Sequence, residues 1–266
     1  MQGSRLFWNL SAALAGAVLS ASPAQAGPWT MPKGEGRTIV TTIYSHAGKS
    51  FDASGNSFDA PDYDQLMAFF HTEYGLTDDI TLIADPSVRR IEIENAGDSV
   101  GLGTTELGAR FRLYHNDRFV LSVQATGFVP GTSRGSRVAQ IGSNDAQADG
   151  RIQLGYGFTL GKVSGFASAE GGYRLRSADP PNEFHGDATL GVHASERVLL
   201  IGNLFNTWSD GRGRNGYPSY RYSNLYAGGV VDVTRRVSFQ LGALGTVSGR
   251  NALRERGLYS GLWLKF

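Results

Sequence analysis

The chain has 266 residues, with 36 glycines, no cysteine, and 25 basic against 24 acidic side chains, for a formal net charge of +1. Without cysteine it can form no disulfide, thiol nucleophile or cysteine-based metal site. The near-neutral charge argues against nucleic acid as a partner. The length fits one large domain.

The first 26 residues have the pattern of a cleaved export signal. Arg5 precedes an apolar run from residue 6 to 19, and Ala24-Gln25-Ala26 supplies the small-x-small cleavage pattern. The run is shorter than the ~20 residues that a membrane-spanning helix needs. We therefore expect a signal peptide at 1–26 and a barrel domain at 27–266. Residues 27–36, rich in Gly and Pro, should form an irregular lead-in that is too short to be a plug domain.

After the lead-in, short segments alternate between apolar and polar residues, which is typical of β-strands with one apolar face. In the segment 104–114, Leu107 and Phe111 alternate with Arg110 and Arg112. About twelve such segments occur, each near the ~9–11 residues that a tilted membrane strand requires. Pro86 should mark a bulge or a break in pairing within the third strand.

The connections between these segments alternate in length. Short turns are expected near residues 77, 116, 161, 196 and 235, and long loops near 55, 96, 140, 180, 214 and 253. Transmembrane barrels have short periplasmic turns and long extracellular loops, and an even strand number returns both termini to the periplasm. The sequence thus predicts an all-β fold, a single antiparallel transmembrane β-barrel of about twelve strands. The alternative is a soluble exported β protein.

The charged residues of the alternating strands share the polar face, because a Lys or Arg facing mid-bilayer costs about 2–4 kcal/mol. They should therefore line the lumen. Two interpretations stay open: an internal salt-bridge network that fills the barrel, or a narrow pore that selects solutes by charge and size. The predicted lumen residues are Glu73, Glu106, Arg110, Arg112, Arg151, Glu170, Arg174, Arg176, Asp187 and His193, together with His71 and Asp232.

No catalytic residue can be assigned. Residues 131–135 match G-x-S-x-G, but they lie in a polar loop and not at the strand-to-helix turn that this motif needs. The five histidines show no metal-binding spacing, and neither a metal nor a cofactor is expected. An outer-membrane lipid hydrolase or lipid A-modifying barrel, with an outward Ser and His near the loops, stays as an enzyme alternative.

Three stretches resemble known outer-membrane barrels. The end of the chain, through Tyr259, Gly261, Leu264 and Phe266, resembles the terminal signal that the barrel-assembly machinery reads. Residues 73–82 (EYGLTDDITL) resemble a turn of proteobacterial outer-membrane barrels. Residues 101–113 (GLGTTELGARFRL) are similar to a stretch of the transporter-like barrel family linked to phenol degradation, with Thr104 where Asp is usual. The resemblance implies this architecture and uptake of small organic compounds.

Together these patterns predict a passive channel or transporter for small polar or organic solutes in the cell outer membrane, with the solute unidentified. The expected partners are outer-membrane lipid, lipopolysaccharide and the assembly machinery. Loop arginines should face lipopolysaccharide phosphates or simply keep the surface soluble. These are Arg134, Arg137, Arg212, Arg214, Arg250, Arg254 and Arg256.

Overall fold

The computed structural model describes residues 27–131, 145–161 and 163–266. The predicted signal peptide, the Ser of the G-x-S-x-G match, Arg134 and Arg137 lie outside the described residues. No helix in the described ranges is long and apolar enough to cross a membrane. The strands are β1 (Gly36–Phe51), β2 (Ser57–Thr77), β3 (Ile80–Asp85), β4 (Ser87–Ile93), β5 (Gly97–Leu102), β6 (Thr105–His115), β7 (Phe119–Val129), β8 (Gln147–Leu160), β9 (Val163–Arg176), β10 (Glu183–Ser195), β11 (Val198–Ser209), β12 (Arg221–Asp232), β13 (Val237–Arg250), β14 (Ala252–Leu253) and β15 (Arg256–Lys265).

The strands form one antiparallel sheet that closes on itself. Each long strand pairs with its neighbours in sequence, and β1 pairs with both β2 and β15, with Arg37 opposite Lys265 at one end of the seam. Strands β3 and β4 together form one barrel strand, as do β5 with β6 and β14 with β15. The result is a closed barrel of twelve strands, which confirms the predicted fold class.

The third barrel strand is interrupted where the sequence predicted. Pro86 separates β3 from β4 and has no N–H to donate to the ladder, but its carbonyl still accepts from Phe70 N at 3.0 Å. Strand β3 pairs with β6 and β4 with β5, so the break propagates into the fourth barrel strand. Both halves keep the same inner and outer faces.

The two faces of the wall separate apolar from charged residues. Successive side chains of a strand point to opposite faces, so in β6 Leu107 and Phe111 are exposed on the outside while Arg110 is fully buried inside. The outer surface is consequently a continuous apolar band. It includes Leu66, Phe70, Leu82, Leu107, Phe111, Ile152, Leu154, Leu190, Leu200, Leu225, Leu241 and Leu262.

The described connections at one end of the barrel are all short, whereas those at the other end range from short to long. Turns of a few residues join the strands at 78–79, 116–118, 196–197 and 233–236. Strand β1 begins and β15 ends at this same end, where Gly36 N donates to Phe266 O at 2.8 Å. The opposite end carries the longer connections, including 177–182 and 210–220. The first two connections there, 52–56 and 94–96, are tight because the strands themselves project further, β2 running for 21 residues. Hereafter these are the turn end and the loop end.

Candidate functional site

A buried arginine anchors the charged part of the lumen near the turn end. Arg110 donates to Glu73 Oε1 at 2.8 Å, to Gln153 Oε1 at 3.0 Å and to Gln124 Oε1 at 3.0 Å. Arg37 binds the second carboxylate oxygen of Glu73. A buried charge is tolerated only when it is paired and hydrogen-bonded. Each partner here lies on a different strand, so the network ties the wall together across the lumen.

A second cluster lies at mid-height on β8, β9 and β10. Arg151 donates to Asp149 Oδ1 at 2.7 Å, Glu170 Oε1 at 3.0 Å and Asp187 Oδ2 at 3.3 Å. Three carboxylates therefore surround one guanidinium, which leaves excess negative charge. Glu170 and Arg151 keep 12% and 11% side-chain exposure, so this cluster borders open space in the lumen.

The charged wall continues to the loop end. Arg174 donates to Asp149 Oδ2 at 3.2 Å and stacks 4.4 Å from the ring centre of Phe128. Arg176 donates to Glu183 Oε1 at 2.9 Å. The arginines of β8 and β9 and the carboxylates between them thus form a ladder of alternating charge along the inner wall.

The other half of the inner wall, on β1, β2 and β11 to β15, carries most of the buried aromatic side chains, interspersed with polar ones. Tyr226 packs edge-on against Phe205 at 5.4 Å and against Tyr259 at 5.6 Å. A second group surrounds Trp263, which donates to Gln240 Oε1 at 3.0 Å. Sequence analysis predicted Glu73 and His71 of this part of the wall but not its aromatic residues, because it identified the lumen face by its charges. The first group comprises Ile43, Met67, Phe69, Phe205, Tyr226, Leu244 and Tyr259.

The lead-in enters the lumen at the turn end. Trp29 O accepts from Arg110 Nη1 at 3.0 Å, and Pro28 O accepts from the Ser122 hydroxyl. The Trp29 ring packs edge-on against Phe166 at 5.4 Å. The segment forms no strand before Gly36, apart from one bridge between Lys33 and Gly75. Composition could not predict these contacts, because the residues that hold the segment lie on strands far from it in the sequence.

A cavity of about 320 Å³ remains beside this segment. Trp29, Thr30 and Arg37 border it on one side, and Phe166, Ser168 and Thr189 of β9 and β10 border it on the other. It lies in the lumen near the turn end.

Most of the predicted lumen residues lie on the inner wall, and three lie at the turn end instead. Arg112 donates to Asp79 Oδ1 at 2.9 Å in the first short turn, while His193 and Asp232 are exposed beside later turns. Alternation fixes the face of a residue but not its height in the barrel. The residues on the inner wall are Glu73, Glu106, Arg110, Arg151, Glu170, Arg174, Arg176, Asp187 and His71, the last in contact with Asp85.

The residues of the terminal signal divide between the two faces. Tyr259 and Gly261 point inward, whereas Leu264 and Phe266 point outward. The Tyr259 side chain reaches over Gly242 of the adjacent β13 to Gly228 of β12. A Cβ at Gly242 would come within 2.4 Å of the Tyr259 ring, and one at Gly228 within 2.7 Å of the Tyr259 hydroxyl.

The described residues give little support to the hydrolase alternative. On the outer face near the loop end, His46 Nδ1 lies 3.2 Å from Asp64 Oδ1, and its other contact is Asp62. Among the described residues no Ser hydroxyl hydrogen-bonds to a histidine. The same residues contain no group of three His, Cys, Asp or Glu side chains that could hold a metal ion.

A closed twelve-stranded barrel with an apolar exterior and a charged lumen is an outer-membrane β-barrel of the porin-like class. The sequence matches the family described as "Putative MetA-pathway of phenol degradation" over residues 48–266, and the chain belongs to this family.

Solved structures show the same architecture. The COG4313 outer membrane channel from Pseudomonas putida F1 is 16% identical, with 93% of this chain and 100% of that chain covered and a TM-score of 0.74. The NanC porin is 8% identical, with 86% and 100% covered and a TM-score of 0.51. At these identities the likeness concerns the fold. A comparison with curated protein sequences gave no match.

Proposed function

We propose that the protein is a passive channel for small solutes across the outer membrane. The observation that carries this proposal is the ladder of charges on the inner wall, from Arg176 at the loop end through Arg151 to Arg37 at the turn end. Charged rings in a narrow lumen provide a hydrated route and select by charge. The structural likeness to an outer membrane channel supports the same reading.

Conductance of the purified mature protein in a planar bilayer tests this directly. We expect small, discrete current steps in potassium chloride, from protein whose gel mobility shifts on heating as folded barrels do. The matched control is the same preparation after heat unfolding. A folded, heat-modifiable barrel that gives no current would refute the channel.

The channel should prefer cations weakly. The inner wall carries one more acid than bases, since His71 is paired with Glu73 and Asp85 and counts as a cation. The acids are Glu73, Asp85, Glu106, Asp149, Glu170, Glu183, Asp187 and Glu255, and the bases are Arg37, Arg89, Arg110, Arg151, Arg174, Arg176 and His71. Reversal potentials in a salt gradient should show this weak preference for cations. Glu170→Gln should reduce the preference, whereas Glu92→Gln on the outer face should not. An anion preference in the unmodified protein would contradict the argument.

The lead-in should set the width of the channel. Trp29 borders the remaining cavity and is held by Arg110 and Ser122 through the adjacent backbone. We expect Trp29→Ala to raise the conductance. Trp208→Ala, on the outer surface, is the matched control. Unchanged conductance in the Trp29 variant would place the constriction elsewhere.

The solute class should be small organic molecules that carry both an apolar body and a polar group. The lumen offers an apolar wall around Tyr226 and Phe205 opposite the charged wall around Arg151. The family description names phenol degradation. We expect phenol, added to one side of the bilayer, to reduce the potassium chloride current, and glucose to leave it unchanged. Equal effects of both solutes would remove this assignment.

The protein lies among outer-membrane lipids, and we propose that it binds lipopolysaccharide at the loop end. Arg221 and Arg250 are direct cross-strand partners, and both are exposed on the outer face. Like charges opposite one another are destabilising unless an anion lies between them, and phosphate suits guanidinium well. Lipopolysaccharide should raise the thermal stability of the protein. The gain should be lost in R221Q/R250Q and kept in R235Q/R236Q, at the turn end.

Export and assembly form the last part of the proposal. Cleavage after Ala26 would free the lead-in to enter the lumen, and N-terminal sequencing of the membrane protein tests it. The assembly machinery should read the terminal strand, where the Phe266 ring occupies the space beside Gly36. Removal of Phe266 should lower the folded fraction in outer membranes. A normal folded fraction would argue against the signal.

A further inference from the structure

The cavity beside the lead-in has walls of different chemistry. Its volume of about 320 Å³ falls within the range of small-molecule sites, which span ~300–1,000 Å³. Of the described residues that line it, Arg37 alone has an ionisable side chain, and this side chain is 15% exposed. The Trp29 and Phe166 rings supply apolar surface, and Ser168 and Thr189 supply hydroxyl groups. The cavity therefore combines one cation with aromatic walls.

The charges around Arg37 leave an excess of positive charge at this cavity. Glu73 is fully buried and is shared by two arginines, since Arg37 binds one carboxylate oxygen and Arg110 donates to the other at 2.8 Å. His71 lies 3.6 Å from Glu73 and 3.0 Å from Asp85. Two arginines and one histidine thus face two carboxylates. An anion is favoured here, although the inner wall as a whole is slightly acidic.

The lead-in side of the cavity is held in place by the barrel wall. Trp29 O accepts from Arg110 Nη1 at 3.0 Å, and Met31 N donates to the Thr81 hydroxyl at 2.8 Å. The Trp29 ring packs edge-on against Phe166 at 5.4 Å between ring centres. A site whose walls are already fixed loses less conformational freedom when it binds a ligand.

We propose that this cavity binds a small aromatic carboxylate, with the carboxylate on the Arg37 guanidinium and the ring beside Trp29 and Phe166. A guanidinium forms charge-assisted hydrogen bonds to a carboxylate, and aromatic pairs gain more than the area that they bury. The inference rests on the proposed channel and deepens it, because it names a negatively charged solute class and the place in the lumen where that solute binds.

Calorimetric titration of the full mature protein in detergent, with sodium benzoate as the probe, tests the site. Benzamide keeps the ring and lacks the charge, whereas acetate keeps the charge and lacks the ring. We expect benzoate to bind roughly tenfold or more tightly than either analogue. Binding of benzamide or acetate as tight as that of benzoate would overturn the proposal, as would no binding of benzoate. This comparison uses unmodified protein, so it does not depend on whether a variant folds.

Variants then locate the site. Arg37→Gln should weaken benzoate binding by roughly tenfold or more, and Phe166→Leu should weaken it as well. The matched controls are Arg235→Gln, in a short turn, and Phe184→Leu, on the outer face. Arg37→Gln also breaks the ion pair with Glu73, whereas Phe166→Leu leaves it intact and decides the question if the first variant does not fold. Unchanged binding in Phe166→Leu, or equal losses in the controls, would overturn the site.

The planar bilayer separates this site from the channel itself. Benzoate should lower the potassium chloride current of the unmodified protein and should lower that of Arg37→Gln less. Current from a protein that binds no benzoate would overturn the site and leave the channel standing. Benzoate binding to a folded barrel that carries no current would overturn the channel and leave the site standing.

Discussion

Replacing Arg110 by methionine tests whether the internal charges stabilise the barrel. The substitution removes the donors to Gln124 and Gln153 and leaves the fully buried Glu73 with Arg37 and the more distant His71, 3.6 Å away. Breaking a buried ion pair costs about 3–5 kcal/mol, because the remaining charge keeps its desolvation penalty. The unfolding equilibrium should therefore shift by roughly a hundredfold to a few thousandfold.

Arg112→Met is the matched control on the same strand. Arg112 binds Asp79, whose side chain is 65% exposed, and exposed pairs contribute only about 0–1 kcal/mol. Urea unfolding in lipid vesicles, followed by tryptophan fluorescence and by gel mobility, would measure both. Equal losses in the two variants, or a loss below about 1 kcal/mol for Arg110→Met, would refute the argument that burial decides the contribution.

Two further predictions concern packing and sidedness. Gly242→Ala puts a methyl group within 2.4 Å of the Tyr259 ring and should lose about 1–3 kcal/mol, whereas Gly150→Ala, with nothing within 4 Å, should be near neutral in the same urea assay. Leu241 lies on the outer surface at mid-wall, and Leu241→Arg should lower the free energy of unfolding by about 2–4 kcal/mol. Val233 lies in a short turn, and Val233→Arg should lower it by only about 0–1 kcal/mol. The folded fraction in vesicles measures both.

The inner and outer faces of the charged strands could be predicted because the outer face must be apolar and the charges must avoid lipid. In β6 and β9 a charge on the outer face would meet lipid, so the polar face had to be the inner one. Arg110 and Arg174 accordingly lie buried inside. The break at Pro86 was equally predictable, because proline lacks the donor that regular pairing requires.

Several lumen charges could not be found from the sequence because they lie near strand ends. Asp149 and Glu255 fell in segments predicted as loops, and Glu183 fell in the loop before β10. A strand that projects beyond the membrane stays paired but no longer needs an apolar outer face. The alternation of apolar and polar residues therefore ends before the strand does. The lumen position of Trp29 depends on Arg110 and on other residues far along the chain, which local patterns cannot show.

The seam between β1 and β15 has a consequence for biogenesis. The first strand meets its partner only when the last residues of the chain are present, down to the pairing of Gly36 with Phe266. Every C-terminally shortened chain would therefore carry two free edges, each with a row of unpaired backbone groups that hydrocarbon cannot solvate. Such chains should associate with other strands or be degraded, so that only full-length copies would persist in the bilayer.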